Sequence, residues 1–209
     1  MPAMRTLAIL LAALSIATPA AAGDLTVMVT NAAGQPVKDA VVMVYPRGGA
    51  HGAIRFSWPY VMSQRNMQFD PFVLIVPVGA TVSFPNRDPF RHHVYSFSPA
   101  KTFELKLYGH DETRTVKFDK TGVVAVGCNI HDNMTAFIRV VDTPYAAKTD
   151  AHGAAVIADA PDGPATVQVW HPYIRGGHDL SRQTNIPDRS ITMKIAADVR
   201  APPMRKGMY

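Results

Sequence analysis

Beyond residue 22 the chain is built from short apolar runs, broken by Gly, Pro, Asn and Asp, with almost no helical periodicity. "FELKL" (103–107) and "TVKF" (115–118) alternate apolar with polar residues, as strands with one wet face do. Strands are predicted at "LTVMVT" (25–30), "AVVMVYP" (40–46), "FVLIVP" (72–77), "TVSFPN" (81–86), "HVYSFS" (93–98) and "FELKL" (103–107). The pattern continues through "TRTVKF" (113–118), "GVVAVGC" (122–128), "AFIRVVD" (136–142), "AAVIADA" (154–160), "ATVQVW" (165–170) and "SITMKI" (190–195). "PVGATVSF" carries its own turn at Gly79. Many short strands with turn signals between them predict an all-β fold of the sandwich class.

The first 22 residues read differently. Arg5 makes a positive start, "TLAILLAALSIA" is a short apolar stretch, and "AAA" before Gly23 offers small residues to a signal peptidase, with cleavage after Ala22. The stretch is short for a membrane span, no cysteine follows it to carry a lipid, and no later segment is long and apolar enough to cross a bilayer. These features predict an exported, periplasmic protein.

Charge narrows the partners. The formal net charge is +5, and residues 66–141 hold eight Lys/Arg against seven Asp/Glu, so the middle is almost neutral. Residues 170–209 hold seven against three, which reads as a solvated basic tail. Aromatic residues do not interleave with basic ones, so nucleic acid is not an expected partner.

The candidate chemistry sits in "VAVGCNIHDNM" (124–134), where Cys128, His131 and Met134 follow a strand at C-x2-H-x2-M spacing. Cys128 is the chain's one cysteine, so no disulfide can occupy it. Taken alone, a single cysteine is most often a buried core residue. A His three residues on and a Met three further favour a soft metal, because thiolate and imidazole bind copper strongly and a thioether binds weakly. Zinc would prefer further Cys or His ligands. A Cys nucleophile with His131 as base lacks rigid separate elements and an oxyanion-hole motif. A second imidazole is available upstream in "FPNRDPFRHHVYSFS" (84–98), from either His92 or His93. Neighbours on a strand face opposite ways, so one of the two takes a ligand position and the other lies beside it.

Both stretches together resemble the cupredoxins, the blue copper family. "FPNRDPFRHHV" is followed, in order, by "GVVAVGCNIHDNM", with 35 residues between His92 and Cys128, and the ligand spacing is the short version found in amicyanin-like members. The resemblance covers residues 66–142. It implies a Greek-key β-sandwich of cupredoxin type and one type 1 copper ion held by His92, Cys128, His131 and Met134. His93 would then stand next to the ligand. Asn86 would match the family's strand-end Asn, whose backbone and amide brace the Cys loop.

The segments on either side resemble each other's halves. "GQPV" (34–37), "TDAHG" (149–153) and "PDGP" (161–164) are similar to the turns of the small transthyretin-like sandwich of carboxypeptidase regulatory-like domains. The expected organisation is a signal peptide (1–22), the first part of a regulatory-like sandwich (23–60), a cupredoxin domain (61–142), the second part of the sandwich (143–196) and a disordered tail (197–209). This layout resembles periplasmic proteins of the methylamine-utilisation type.

These resemblances imply a periplasmic electron carrier, not an enzyme, that exchanges single electrons with redox partner proteins such as a dehydrogenase or a cytochrome. It would be a monomer with no membrane span. The alternatives are a copper-binding or delivery module without redox turnover, and a surface β-sandwich that recognises another molecule. The remaining histidines read as structural: His110, His152 and His178 lie in polar turns, and His171 in "VWHPY" suits packing at a strand end. "MSQRNMQFDP" (62–71) reads as a lead into the first strand of the middle domain.

Overall fold

The computed structural model describes residues 23–50, 53–187 and 189–200, and among them sixteen β-strands and no helix. The expected export signal lies outside these residues. No helix among the described residues is long and apolar enough to cross a membrane. The all-β class expected from the pattern is the class found.

In chain order the strands are β1 (Gly23–Thr30), β2 (Val41–Pro46), β3 (Ser63–Arg65), β4 (Gln68–Asp70), β5 (Val73–Pro77), β6 (Thr81–Pro85), β7 (His92–Ser98) and β8 (Lys101–Tyr108). They continue with β9 (Thr113–Lys117), β10 (Gly122–Gly127), β11 (Thr135–Val141), β12 (Ala146–Lys148), β13 (Ala154–Ala160), β14 (Gly163–Trp170), β15 (Leu180–Ile186) and β16 (Ile191–Ala196).

The middle of the chain forms a five-stranded sheet in the order β5-β11-β10-β7-β8, parallel at β5–β11 and otherwise antiparallel. The β6–β9 pair packs across from it, and the β3–β4 hairpin is joined to the residue just after β6 by a parallel bridge between Gln64 and Asn86. Val82, Phe84, Val116 and Phe118 meet Val94, Val124, Val126 and Ile138 in one buried cluster, which also holds Cys128 and Met134. The flanking segments form two further sheets, β13-β1-β16 and β12-β2-β14-β15. These enclose a separate cluster built on Leu25, Val27, Val29, Val42, Val44, Ile157, Val167 and Val169.

Where the two sets of sheets meet, strands are buried on both faces. β2 and β5 have no polar alternation for this reason: "VVMV" and "VLIV" must be apolar on each side. Val42 and Val44 serve the flanking core, while Val41 and Met43 face Val73, Ile75, Val141 and Trp170 in a third cluster. Polar links accompany the contact. Lys148 Nζ donates to the Val73 carbonyl at 2.9 Å, and Arg139 pairs with Asp179 at 2.6 Å.

The turn residues of the flanking sandwich are explained by their hydrogen bonds. Thr149 is buried; its hydroxyl donates to the Val37 carbonyl at 2.7 Å and accepts from the Ala40 amide at 2.8 Å, joining "GQPV" to "TDAHG". Asp150 Oδ1 accepts from the amides of His152 and Ala154, closing that turn around Gly153, whose φ of 74° suits glycine.

Four strands escape the sequence pattern. β3, β4 and β12 have three residues each, too few for a period to show, and β15 is the polar edge strand "LSRQTNI". Beyond β16, residues 197–199 stay in contact with the flanking core, although 197 is where the tail was expected to start. Ala197 is buried in the flanking core with Val199 packed against it, Val199 bridges Ile174, and Asp198 pairs with Arg175 at 3.1 Å. Residues 201–209 lie outside the described part.

His171 is buried at the end of β14, with Nδ1 accepting the Tyr173 amide at 3.2 Å. Burial holds this imidazole below its ordinary value, against the opposing pull of Asp39 and the Lys38 backbone. The unfolded chain therefore takes up a proton near pH ~6.5 that the folded protein refuses. Stability is full above that pH and falls as the pH drops towards the lower folded value. His171→Asn is expected to flatten this slope, read as urea midpoints at about pH 7.5 and about pH 5.5. Some slope remains in the variant, because burial lowers His92 in the same direction.

Candidate metal centre

The β10–β11 hairpin brings Cys128, His131 and Met134 to one end of the middle sandwich. Its last rung pairs Gly127 with Thr135, and the loop between is closed by Cys128 N–H donating to the Met134 carbonyl at 3.2 Å and Met134 N–H donating to the His131 carbonyl at 3.0 Å. Cys128 and Met134 are buried. The residue before Cys128 has little room for a side chain: a Cβ on Gly127 would stand 3.1 Å from the Tyr95 ring on the neighbouring strand, which would have to shift to admit it.

The second imidazole comes from the start of β7. His92 is fully buried, and its Nδ1 lies 3.8 Å from Cys128 Sγ, while His131 Nδ1 lies 3.5 Å from the same sulfur. One donor atom from each of the three residues falls within 4.8 Å of the others. Bonds of about 2.0 Å to nitrogen and about 2.3 Å to sulfur from one ion place such atoms about 3.5–3.8 Å apart, so the spacing fits a single metal. The donor chemistry fits too: one thiol with no disulfide partner and two imidazoles, under apolar cover.

His93 goes elsewhere. Its Nε2 lies 2.9 Å from Glu104 Oε1, its ring packs 5.7 Å from Tyr95, and its buried Nδ1 has no partner. The ladder register shifts between His92 and Val94, a β-bulge type of irregularity beside the site that accompanies two buried neighbours in sequence. Asn86 follows β6 and opens the loop that leads to β7. Its amide donates to the Phe90 carbonyl at 2.8 Å and the Tyr108 carbonyl at 3.2 Å, and its Oδ1 accepts the Asp88 amide at 2.9 Å. Those bonds brace the 86–90 loop that delivers His92 and tie it to the end of β8 at Tyr108. Met134 shares the buried cluster with Cys128.

Above the site lies an apolar rim. Phe90 is 39% exposed and packs 5.2 Å from the His92 ring and 5.6 Å from the His131 ring, and Ile130, the residue before His131, is 50% exposed. His131 is half-buried and edges this surface. His110, His152 and His178 are exposed, as their polar contexts predict.

Asp88 is the site residue that sequence reasoning missed. Its Oδ2 lies 2.8 Å from His92 Nε2, with both side chains buried. Burial alone would raise the carboxyl, but the Met67 amide, the His92 ring and the Asn66 amide together hold it below the usual carboxylate range. Burial lowers the His92 imidazole, and Asp88 only partly offsets this. The available signal was an acid four residues before the histidine, a spacing with no meaning until the loop is folded.

Among solved structures, the chain is similar to a purple cupredoxin from Nitrosopumilus maritimus, at 20% identity over 39% of this chain and 98% of that one, with a TM-score of 0.36. A copper-containing nitrite reductase from Thermus scotoductus SA-01 is 28% identical over 56% of this chain, which spans only 28% of the reductase, with a TM-score of 0.39. A reduced single-site mutant of amicyanin is 17% identical, over 49% of this chain and 99% of that one, with a TM-score of 0.37. No family model and no curated protein sequence matches the chain.

Proposed function

We propose that this protein is an exported, periplasmic electron carrier with one type 1 copper ion, held by His92, Cys128, His131 and Met134. The observation that carries the reading is the convergence of Cys128 Sγ with the two Nδ1 atoms of His92 and His131. Copper held by a thiolate, two imidazoles and a weak thioether cycles between two oxidation states by single electrons. The chain's residues supply what such cycling needs. The β10–β11 ladder holds Cys128, the 86–90 loop holds His92, and Met134 stands as the fourth donor.

The surroundings fit the same role. Phe90 and the buried cluster would keep water from a bound ion, so that little would have to rearrange between its oxidation states. The half-buried edge of His131, within the rim of Phe90 and Ile130, is the route by which an electron leaves towards a redox partner protein. Residues 61–142 act as the copper domain, inserted between the halves of a transthyretin-like sandwich.

Copper titration of the mature protein tests the reading. Expected are uptake of one Cu(II), an intense visible thiolate-to-metal band and a reversible one-electron wave in voltammetry. Binding of colourless Cu(I) without a reversible wave would instead favour copper delivery. Absence of copper uptake overturns both.

A further inference from the structure

The β3–β4 hairpin turns through Asn66 and Met67, both in the left-handed region with φ of 55° and 54°. Two consecutive positive-φ residues make the tight turn that suits the strand twist, yet methionine rarely adopts that conformation. The turn points both of its amides at one side chain. Asn66 N–H donates to Asp88 Oδ1 at 2.6 Å and Met67 N–H donates to Asp88 Oδ2 at 3.0 Å. Asp88 is fixed further through its backbone: its amide donates to Asn86 Oδ1, and its carbonyl lies 3.0 Å from His110 Nδ1. Its side chain is 5% exposed and pairs with no Lys or Arg among the described residues. A carboxylate buried without a cation is costly, and this one is held by amides and aimed at one ring nitrogen.

We propose that Asp88 is a positioning residue for His92: clamped by the hairpin turn, its carboxylate accepts the Nε2 proton, aims the Nδ1 lone pair at the metal, and favours the more oxidised state of the ion. This inference rests on the copper reading above. A ring whose Nδ1 binds metal must carry its proton on Nε2, and a carboxylate there fixes the tautomer and strengthens the nitrogen as a donor. A buried negative charge one imidazole away from the ion also stabilises the higher metal charge more than the lower. "MSQRNMQFDP" is thus more than a lead into a strand: its turn holds the acid that holds the ligand.

The test uses the mature protein and its Asp88→Asn variant, which keeps an acceptor oxygen and removes the charge. Cu(II) affinity is expected to fall about 10–100-fold, the range seen when a group holding a ligand is changed. Cu(I) affinity should hardly change, and the reduction potential should then rise by about 60–120 mV, at about 59 mV per tenfold for one electron. Equal losses for both oxidation states, or an unchanged potential, overturn the inference, since a merely structural role would weaken both alike.

A measurement on the unaltered protein stands even if the variant does not fold. In the Cu(I) form, NMR should show the His92 ring protonated at Nε2, with a downfield and slowly exchanging proton; a freely exchanging proton there overturns the proposal. If the unaltered protein takes up no copper, the functional reading fails and this inference with it. Copper uptake with an unshifted potential in the variant sinks this inference alone.

Discussion

On the proposed copper reading, Cys128→Ser is expected to remove the intense visible band and to weaken Cu(II) binding by more than the about 10–100-fold that changes around a ligand cause. The reason is local. Cys128 Sγ lies within 3.8 Å of both ring nitrogens, and no other cysteine can replace it. A serine hydroxyl is a hard, protonated donor, ill matched to a copper site and unable to give a thiolate transition. The metal-free variant should still fold, since burying one hydroxyl costs about 1–3 kcal/mol. Optical titration of both proteins, with a thermal melt of the metal-free forms, decides it. An unchanged visible band in the serine variant would remove Cys128 from the site.

Trp170→Ala is expected to destabilise the protein by about 3–5 kcal/mol, the usual cost of truncating a large buried aromatic residue. Trp170 ends β14 and lies buried where the flanking sheets meet the middle sandwich. Its ring stands 6.0 Å from Phe137 in an edge-on arrangement, and the Arg139 guanidinium lies 5.9 Å above it, held by Asp179. Removing it opens a cavity between two bodies that each keep a core of their own. Urea unfolding should show a lower midpoint, while copper affinity stays within error, because the metal loop belongs to the other cluster. A variant as stable as the parent would show that the contact is not a source of stability.

Much of this architecture was legible because strands announce themselves by period and turn chemistry. Twelve of the sixteen strands coincide with apolar runs visible in the chain. Those missed were short or polar edges, where pairing with a neighbour, not side-chain pattern, makes the strand. The Cys-His-Met spacing was legible because one tight loop carries it. The choice between His92 and His93 was not legible from spacing and came only from the family resemblance, since both are buried and one residue apart; the fold sends one ring to Cys128 and the other to Glu104.

The amino-acid sequence by itself determined an all-β chain, a soft-donor loop and a tandem histidine upstream, because these depend on residue type and near-neighbour spacing. Only the tertiary structure decided that β2 and β5 are buried on both faces, that Asn86 ties its loop to the end of β8, and that an Asn-Met turn 22 and 21 residues upstream grips Asp88 behind His92. Those outcomes depend on which distant strands pair and in what register, and no local pattern encodes a contact whose partners meet only when the sheets close.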